Sequence, residues 1–360
     1  MDLAIVGLPL SGKTATFRAL TAGHAQAGDA RREHVGVVKL PDERLERLAT
    51  LVQAKKVTHA ELRLHDLPPL FGEGVARPPP EAADSLAAAD GLLFVVRAFR
   101  REDVPHPQGS VDPGRDIESF QGELLRHDLA IVERRLEKLD ISVRSARPGE
   151  RDAGEREQRL LQRLHQQLEG GVPLRDQSLT PEDEKALSGY GFLTSKPLLV
   201  LLNINEADVG SAAEIEAEYA SRYRAGRTLV AAFCARLEAE LAELPPEEAA
   251  EFRRELGAGD SALQRLLRLA QELLGLVTFY TPVGDECRAW PVPAGSTALQ
   301  AAGRIHSDME RGFIRAEVIA WERLMEFGSL AEAKKHGLLR AEGKQYAVQD
   351  GDVVHILFHV

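Results

Sequence analysis

The stretch Gly7-Leu8-Pro9-Leu10-Ser11-Gly12-Lys13-Thr14 decides the fold. It fits the spacing G-x-x-x-x-G-K-[ST], follows a short apolar run, Leu3–Leu8, and opens Ala15-Thr16-Phe17-Arg18-Ala19-Leu20, which reads as a helix start. Strand, glycine-rich loop and helix in that order are what an anion cradle needs. The strand delivers the loop, glycines let backbone N–H groups curl around a phosphate, and the helix adds its positive end. Lys13 is placed to reach β- and γ-phosphates, and the Thr14 hydroxyl to face Mg²⁺. Leu10, Ser11, Gly12, Lys13, Thr14 and Ala15 are therefore the candidate phosphate-binding residues. A vestigial loop that binds nothing is the competing reading.

Outward from this loop, six apolar runs stand out: Leu3–Leu8, His34–Leu40, Glu61–Leu67, Gly91–Phe99, Pro197–Ile204 and Thr228–Cys234. Most are nearly continuous in Val, Leu, Ile and Ala, as in strands covered on both faces. The third alternates, with Leu62 and Leu64 inward and Glu61, Arg63 and His65 outward. Helical stretches lie between them at Gly12–Thr21, Pro41–Leu51, Glu81–Ala89 and Glu214–Arg222. Alternating strands and helices predict an α/β fold with a mostly parallel sheet.

From about Asp116 to Gly189 the alternation stops and the sequence turns charged and helical in period. Leu125, Leu129, Val132, Leu136 and Leu139 recur at spacings of four, three, four and three, on one seam. After Arg147-Pro148-Gly149, a second helix carries Leu161, Leu164 and Leu168 on one face. An antiparallel hairpin projecting from the sheet fits this pattern, and two helices lying flat on the sheet fit it as well. Beyond Leu276, short runs (Val277–Thr281, Arg288–Val292, Ile314–Ala320, Tyr346–Val348, Val353–Phe358) read as strands around a helix at about Thr297–His306. Asp350-Gly351 is a turn signal before the last run, and the whole predicts a small separate α+β domain.

Composition narrows the function. The 360 residues suit roughly two or three domains. With 45 Lys and Arg against 56 Asp and Glu, the net charge is −11, a poor match for non-specific binding to a nucleic-acid duplex. The two cysteines, Cys234 and Cys287, support neither a disulfide framework nor a Cys-rich zinc site and fit a reducing compartment. Leu3–Leu8 is too short for a signal peptide, and no run approaches the ~18 apolar residues of a membrane span. A soluble, cytoplasmic protein without a membrane partner is expected.

Two further positions bear on the loop. Asp66 ends the third run, where a P-loop protein places a magnesium carboxylate; capping a turn is its bland alternative. Asn203-Ile204-Asn205-Glu206 follows the fifth run, where guanine-reading proteins carry N-K-x-D. An Asp there accepts two hydrogen bonds from guanine; Glu206 is one methylene longer, which removes the main reason to prefer GTP over ATP. Cys234-Ala235, after the sixth run, is the natural place for a backbone contact to the base.

These residues resemble the YchF-type P-loop NTPases of the Obg-related group, which includes the Obg-like ATPases. The resemblance spans the chain. It includes Pro41-Asp42 with Arg44-Leu45, and Gly189-Tyr190-Gly191-Phe192-Leu193-Thr194 with Lys196-Pro197. Its strongest part is Arg288-Ala289-Trp290, Ala301-Ala302, Ile305-His306, Arg311 through Ala320, and Tyr346-x-Val348-Gln349-Asp350-Gly351-Asp352-Val353. It implies a nucleotide-binding domain (1–115 and 191–275) interrupted by an antiparallel coiled-coil insertion (116–190). A TGS-like β-grasp domain (276–360) then follows. It also implies ATP or GTP with Mg²⁺ as cofactors, phosphate and metal held by Lys13 and Thr14, and a base flanked by Asn203 and Glu206. A ribosome, RNA or protein partner in the cytoplasm is the implied context.

Against the family pattern, Leu10 replaces the usual Asn. The segment Gly28-Asp29-Ala30-Arg31-Arg32-Glu33-His34 is short and lacks the Thr that reaches Mg²⁺. The D-x-x-G step reads Asp66-Leu67-Pro68-Pro69, and proline has no N–H for a γ-phosphate. Leu70 stands where a Ras-like enzyme orients water, as is normal for this group, and the stretch to Phe71-Gly72-Glu73-Gly74 is several residues short. Losing one such donor costs ~10²–10³ in rate by analogy with an oxyanion hole. The expected function is a nucleotide-binding regulatory switch that hydrolyses slowly if at all. The alternatives are an interaction scaffold without a nucleotide cycle and, more remotely, a small-molecule kinase. Arg31 and Arg32 could form an arginine finger but read better as solvated, and His306 reads as packed or capping rather than as a ligand.

Overall fold

The computed structural model describes residues 1–21, 32–70, 80–145, 147–256 and 261–359. Its strands are β1 (Asp2–Val6), β2 (His34–Lys39), β3 (Lys56–Thr58), β4 (Glu61–Asp66), β5 (Gly91–Arg97), β6 (Leu198–Asn203), β7 (Thr228–Phe233), β8 (Leu276–Val283), β9 (Glu286–Pro293), β10 (Phe313–Ala320), β11 (Arg340–Glu342) and β12 (Asp352–Phe358). They form two six-stranded sheets. The chain divides into two compact units, Met1–Val37 with Arg63–Leu269, and Val38–Leu62 with Ala270–Val360.

The first sheet runs β2-β4-β1-β5-β6-β7, with β4, β1, β5, β6 and β7 mutually parallel. Every residue of β5 and β6 is buried, as their unbroken apolar runs demand. β4 alternates, burying Leu62 and Leu64, and the same period of two carries Asp66 inward. A carboxylate is thus buried by register alone. Pairings of Ile5 with Asp66, Val6 with Phe94, and Asn203 with Arg97 and Phe233 gather the carboxyl ends of the strands. The strands continue to one side of β1 through β4 and to the other through β5, and open α/β sheets bind ligands outside the carboxyl end of such a reversal.

The helices Pro113–Ser145 and Pro148–Glu169 form the expected antiparallel hairpin. Arg135 bonds Glu157 at 2.8 Å, and His165 lies 3.4 Å from Glu133, so rising numbers on one helix meet falling numbers on the other. Val132 and Leu139 pack with Leu161, Leu164 and Leu168, each buried side chain contributing ~1.5–3 kcal/mol. The first turns of the longer helix belong elsewhere. Ile117, Phe120 and Leu124 join the sheet's core, where Phe120 stacks on Phe94 at 3.9 Å between ring centroids.

The second sheet runs β11-β10-β12-β8-β9-β3. β8 and β9 form an antiparallel hairpin, β10 pairs antiparallel with β12, and β12 pairs parallel with β8. The helix Ala298–Ile305 carries a Thr297/Gln300 capping box and lays Ala298, Ala301 and Ala302 into the core of a TGS-like β-grasp arrangement. The expected strand at Tyr346–Val348 does not form. Only one isolated bridge, Thr297 to Ala347, occurs there, because the segment is spent on tertiary bonds. Tyr346 O accepts from Ala298 N at 2.8 Å, Val348 N donates to Ser296 O at 2.9 Å, and the Tyr346 hydroxyl donates to Asp352 at 2.7 Å. β3 and β11, three residues each, carried no readable strand pattern. Among the described residues, no helix is long and apolar enough to cross a membrane.

Candidate functional site

β1 is buried from Leu3 to Val6 and hands the chain to the loop before the helix Lys13–Leu20. Two glycines shape that loop. A Cβ on Gly7 would stand 2.5 Å from Val95 O, and one on Gly12 would stand 2.2 Å from Asn203 Nδ2. Gly12 also has φ +94°, in the left-handed region. Leu10 holds φ +64° without a glycine's freedom and exposes 54% of its surface. A β-unbranched but bulky residue there is strained, where an Asn would be tolerated.

Lys13 is 8% exposed and donates its ammonium to Leu67 O at 3.0 Å. Burial pushes its pKa down to about 8, against the pull of Asp66. Thr14 Oγ1 donates to Asp66 Oδ2 at 3.1 Å. Asp66 is 4% exposed; burial raises its pKa, with Lys13, Thr14 and His34 acting in the opposite sense. Its second oxygen, Oδ1, is buried and has no hydrogen-bond partner among the described residues, and the same holds for Ser11 Oγ. The ammonium and the carboxylate are therefore both driven toward their neutral forms by burial, which their mutual attraction only partly offsets. An anion beside Lys13 and a cation beside Asp66 would reverse both shifts. Thr14 and Asp66 supply hard oxygen donors suited to Mg²⁺, and the unpartnered Oδ1 gives that cation a place.

Asn203 is 4% exposed and braces the loop: its Nδ2 donates to Ser11 O at 3.0 Å and its Oδ1 accepts from Ala235 N at 3.0 Å. The Ala235 amide, expected to face a base, is thus committed to Asn203. Glu206 is exposed at the start of the turn Glu206–Ser211, and it acts on Cys234, whose thiol is raised mainly by burial and further by that carboxylate. Cys234 is buried ahead of the helix Ala235–Leu241. Leu70 packs into the sheet's core with Leu67 and Val6. His306 caps the helix Ser307–Arg311, accepting from Asp308 N at 3.1 Å. Arg32 is exposed, while Gly28–Arg31 and Phe71–Gly74 lie outside the described residues. Among the described residues no group of three or more His, Cys, Asp or Glu could hold a metal by itself.

Three features escaped the sequence reading. Leu67 acts through its carbonyl, which no side-chain pattern reveals. Arg97, 2% exposed, donates to Val104 O at 2.8 Å and Phe99 O at 3.2 Å, fixing the loop after β5. His65 lies between Glu33 Oε1 at 2.7 Å and Asp2 Oδ1 at 3.0 Å, and Ser85 donates to the other Glu33 oxygen at 2.7 Å. Only the outward position of His65 on β4 hinted at that network.

A phosphate loop at a strand reversal, a helical hairpin inserted in a crossover and a TGS-like unit define the class: a P-loop NTPase fold. Residues 276–359 match a family model, YchF-GTPase_C, described as a protein of unknown function (DUF933). The "Ribosome-binding ATPase YchF" of Bacillus subtilis (strain 168) is 38% identical over 371 residues, covering 100% of both chains. Its counterpart in Escherichia coli O157:H7 is 36% identical over 365 residues, covering 99% of this chain and 98% of that one. A solved structure, the Schizosaccharomyces pombe YchF GTPase, superposes with a TM-score of 0.85 at 28% identity, covering 99% of this chain and 97% of that one. The chain belongs to the YchF family.

Proposed function

We propose that this protein is a cytoplasmic, ribosome-associated nucleotide switch that binds ATP or GTP with Mg²⁺ and turns it over slowly if at all. The observation that carries the binding half is the pair of buried, under-neutralised charges, Lys13 and Asp66, at the mouth of a glycine cradle. The ribosome half leans on relatives named as ribosome-binding ATPases, two of them 38% and 36% identical along nearly the whole chain.

In this reading the amides of Leu10 to Ala15 wrap the phosphates, and the Lys13 ammonium exchanges Leu67 O for phosphate oxygen. Thr14 and Asp66 would hold Mg²⁺, which would supply neutralisation of the phosphate charge. Asn203 positions the loop, and with Glu206 and the Cys234-Ala235 turn it borders the base. The weak step is hydrolysis. Pro69 offers no N–H to the γ-phosphate, and Leu70 is buried and cannot orient water. With positioning and charge stabilisation the whole of phosphoryl-transfer catalysis, the missing donor slows turnover by about 10²–10³.

Thermal shift and turnover on one preparation test both halves. ATP or GTP with Mg²⁺ should raise the melting temperature of the wild type and leave Lys13→Met unmoved. No shift with any tri- or diphosphate rejects the switch in favour of a scaffold. Robust turnover abolished in Lys13→Met rejects the slow-hydrolysis half alone.

A further inference from the structure

The motif Gly189 to Pro197 is not consumed by the phosphate loop. Part of it walls a separate cavity of about 660 Å³, which lies at the foot of the helical hairpin and is large enough for a small organic ligand. Gly191, Phe192, Ser195 and Lys196 form one side, and Arg175 and Arg227 line it from other segments.

The cations in this wall have hydrogen-bonding capacity to spare. Arg175 is 9% exposed and fixed through two nitrogens, with Nε donating to Thr228 Oγ1 at 3.1 Å and Nη1 to Thr194 O at 3.2 Å. Among the described residues its Nη2 has no such bond. Lys196 Nζ donates to Ala87 O at 2.8 Å and Ala89 O at 2.5 Å, which anchors the ammonium and leaves one of its three N–H groups. Arg227 is exposed. Burial lowers the pKa of both Arg175 and Lys196, opposed at Arg175 by Asp176 and then Asp128, and at Lys196 by Asp90 and then Asp128. Asp128 is already engaged, accepting from Leu193 N at 3.0 Å and from Thr194 N and Oγ1 at 2.8 and 2.6 Å, with His127 Nδ1 also 3.0 Å from it.

Three cations and a single carboxylate, Glu184, therefore line the cavity of a protein whose net charge is −11. Leu174, Leu187 and Phe192 give it an apolar floor. We propose that this cavity is a second anion site that takes a phosphorylated small molecule, the phosphate received by Arg175, Lys196 and Arg227 and the body resting on the floor. Arg175 and Lys196, already anchored, recognise phosphate at less cost in side-chain freedom than mobile cations do, and the exposed Arg227 adds a third charge.

The test uses the full chain with the phosphate loop disabled by Lys13→Met, so that it stands apart from the switch reading. The probes are AMP, ribose 5-phosphate and inorganic phosphate, followed by ³¹P line broadening and calorimetry. Binding of at least one probe, weakened tenfold or more by Arg227→Glu and largely kept by Arg227→Lys, is the expected result. AMP alone, either ester, or all three points respectively to a nucleotide, a sugar phosphate or free phosphate as the source. No binding of any probe at millimolar concentration, or binding indifferent to Arg227→Glu, overturns the proposal. Arg227 is exposed, so its replacement leaves the fold intact.

Discussion

Replacing Lys13 with Met should make the nucleotide-free protein more stable at neutral pH, a result opposite to the usual effect of removing a functional side chain. Burial depresses the Lys13 pKa from 10.5 to about 8. That is a penalty on the charged form of about 3.4 kcal/mol, since each unit is worth about 1.4 kcal/mol. The side chain is 8% exposed, so solvent screening does not shrink this figure much. Met has similar length and no charge but loses the bond to Leu67 O, returning about 1 kcal/mol. A net gain of about 2 kcal/mol at pH 7 remains, or roughly 4–8 °C in melting temperature for a unit of this size. The sign follows from linkage. Between pH 8 and 10.5 the unfolded chain holds a proton the folded one has released, so wild-type stability rises with pH while that of the variant does not. By about pH 9.5 the penalty has fallen to about 1.4 kcal/mol and the two proteins nearly coincide. Melting curves at pH 7, 8, 9 and 9.5 measure this directly. A variant less stable than wild type at pH 7, or a gap that stays constant across the series, would refute the claim that an ionised, under-paired lysine strains this loop.

Asp66→Asn should likewise raise nucleotide-free stability at neutral pH, because burial holds its carboxyl above the ordinary range, while abolishing any Mg²⁺-dependent part of the nucleotide-induced melting shift. Gly12→Ala places a Cβ 2.2 Å from Asn203 Nδ2 at φ +94°; left-handed strain and overpacking together should cost about 2–5 kcal/mol in urea unfolding and remove nucleotide binding. Burial alone would lower the His65 pKa, but its bonds to Asp2 and Glu33 outweigh burial and raise it. Its stabilisation is complete below the ordinary histidine value and is lost as pH climbs through the raised one, so a melting-temperature decline across that window should flatten in His65→Gln.

How much of this was legible depends on whether the signal was local. β5 and β6 announce themselves because burial on both faces forces an unbroken apolar run, and β4 because burial on one face forces alternation. That Lys13, Thr14 and Asp66 come together was legible because a phosphate loop and the carboxylate it expects sit at fixed spacings from strand ends. β3 was not: three residues pair with β9 more than 200 positions away, and that pairing draws Val38–Leu62 into the second unit. Tyr346–Val348 misled because its aromatic and β-branched residues suit a strand, while the actual bonds go to Ser296, Ala298 and Asp352. The bracing role of Asn203 was hidden for a similar reason. It depends on an amide 32 residues on and a carbonyl 192 residues back.

Under the proposed function, binding and hydrolysis can part company because different groups would serve them. Holding a triphosphate requires main-chain amides, an ammonium and oxygens that can face a metal, and in the proposed reading the loop from Gly7 to Thr14 with Asp66 would supply them. Hydrolysis requires, in addition, donors that strengthen as charge moves through the γ-phosphate, and in the proposed reading that position falls to Pro69, which has no N–H. A ligand that binds only the folded form stabilises it by RT ln(1 + [L]/Kd), whether or not it is ever cleaved. The strain stored in Lys13 and Asp66 enlarges the difference between the empty and loaded states, because loading repairs two buried charges at once. A switch of the proposed kind would be reset by nucleotide release or exchange rather than by cleavage. Its occupancy then follows nucleotide concentration and whatever partner changes the off-rate, so a partner that accelerates release should shorten nucleotide residence time without raising phosphate production.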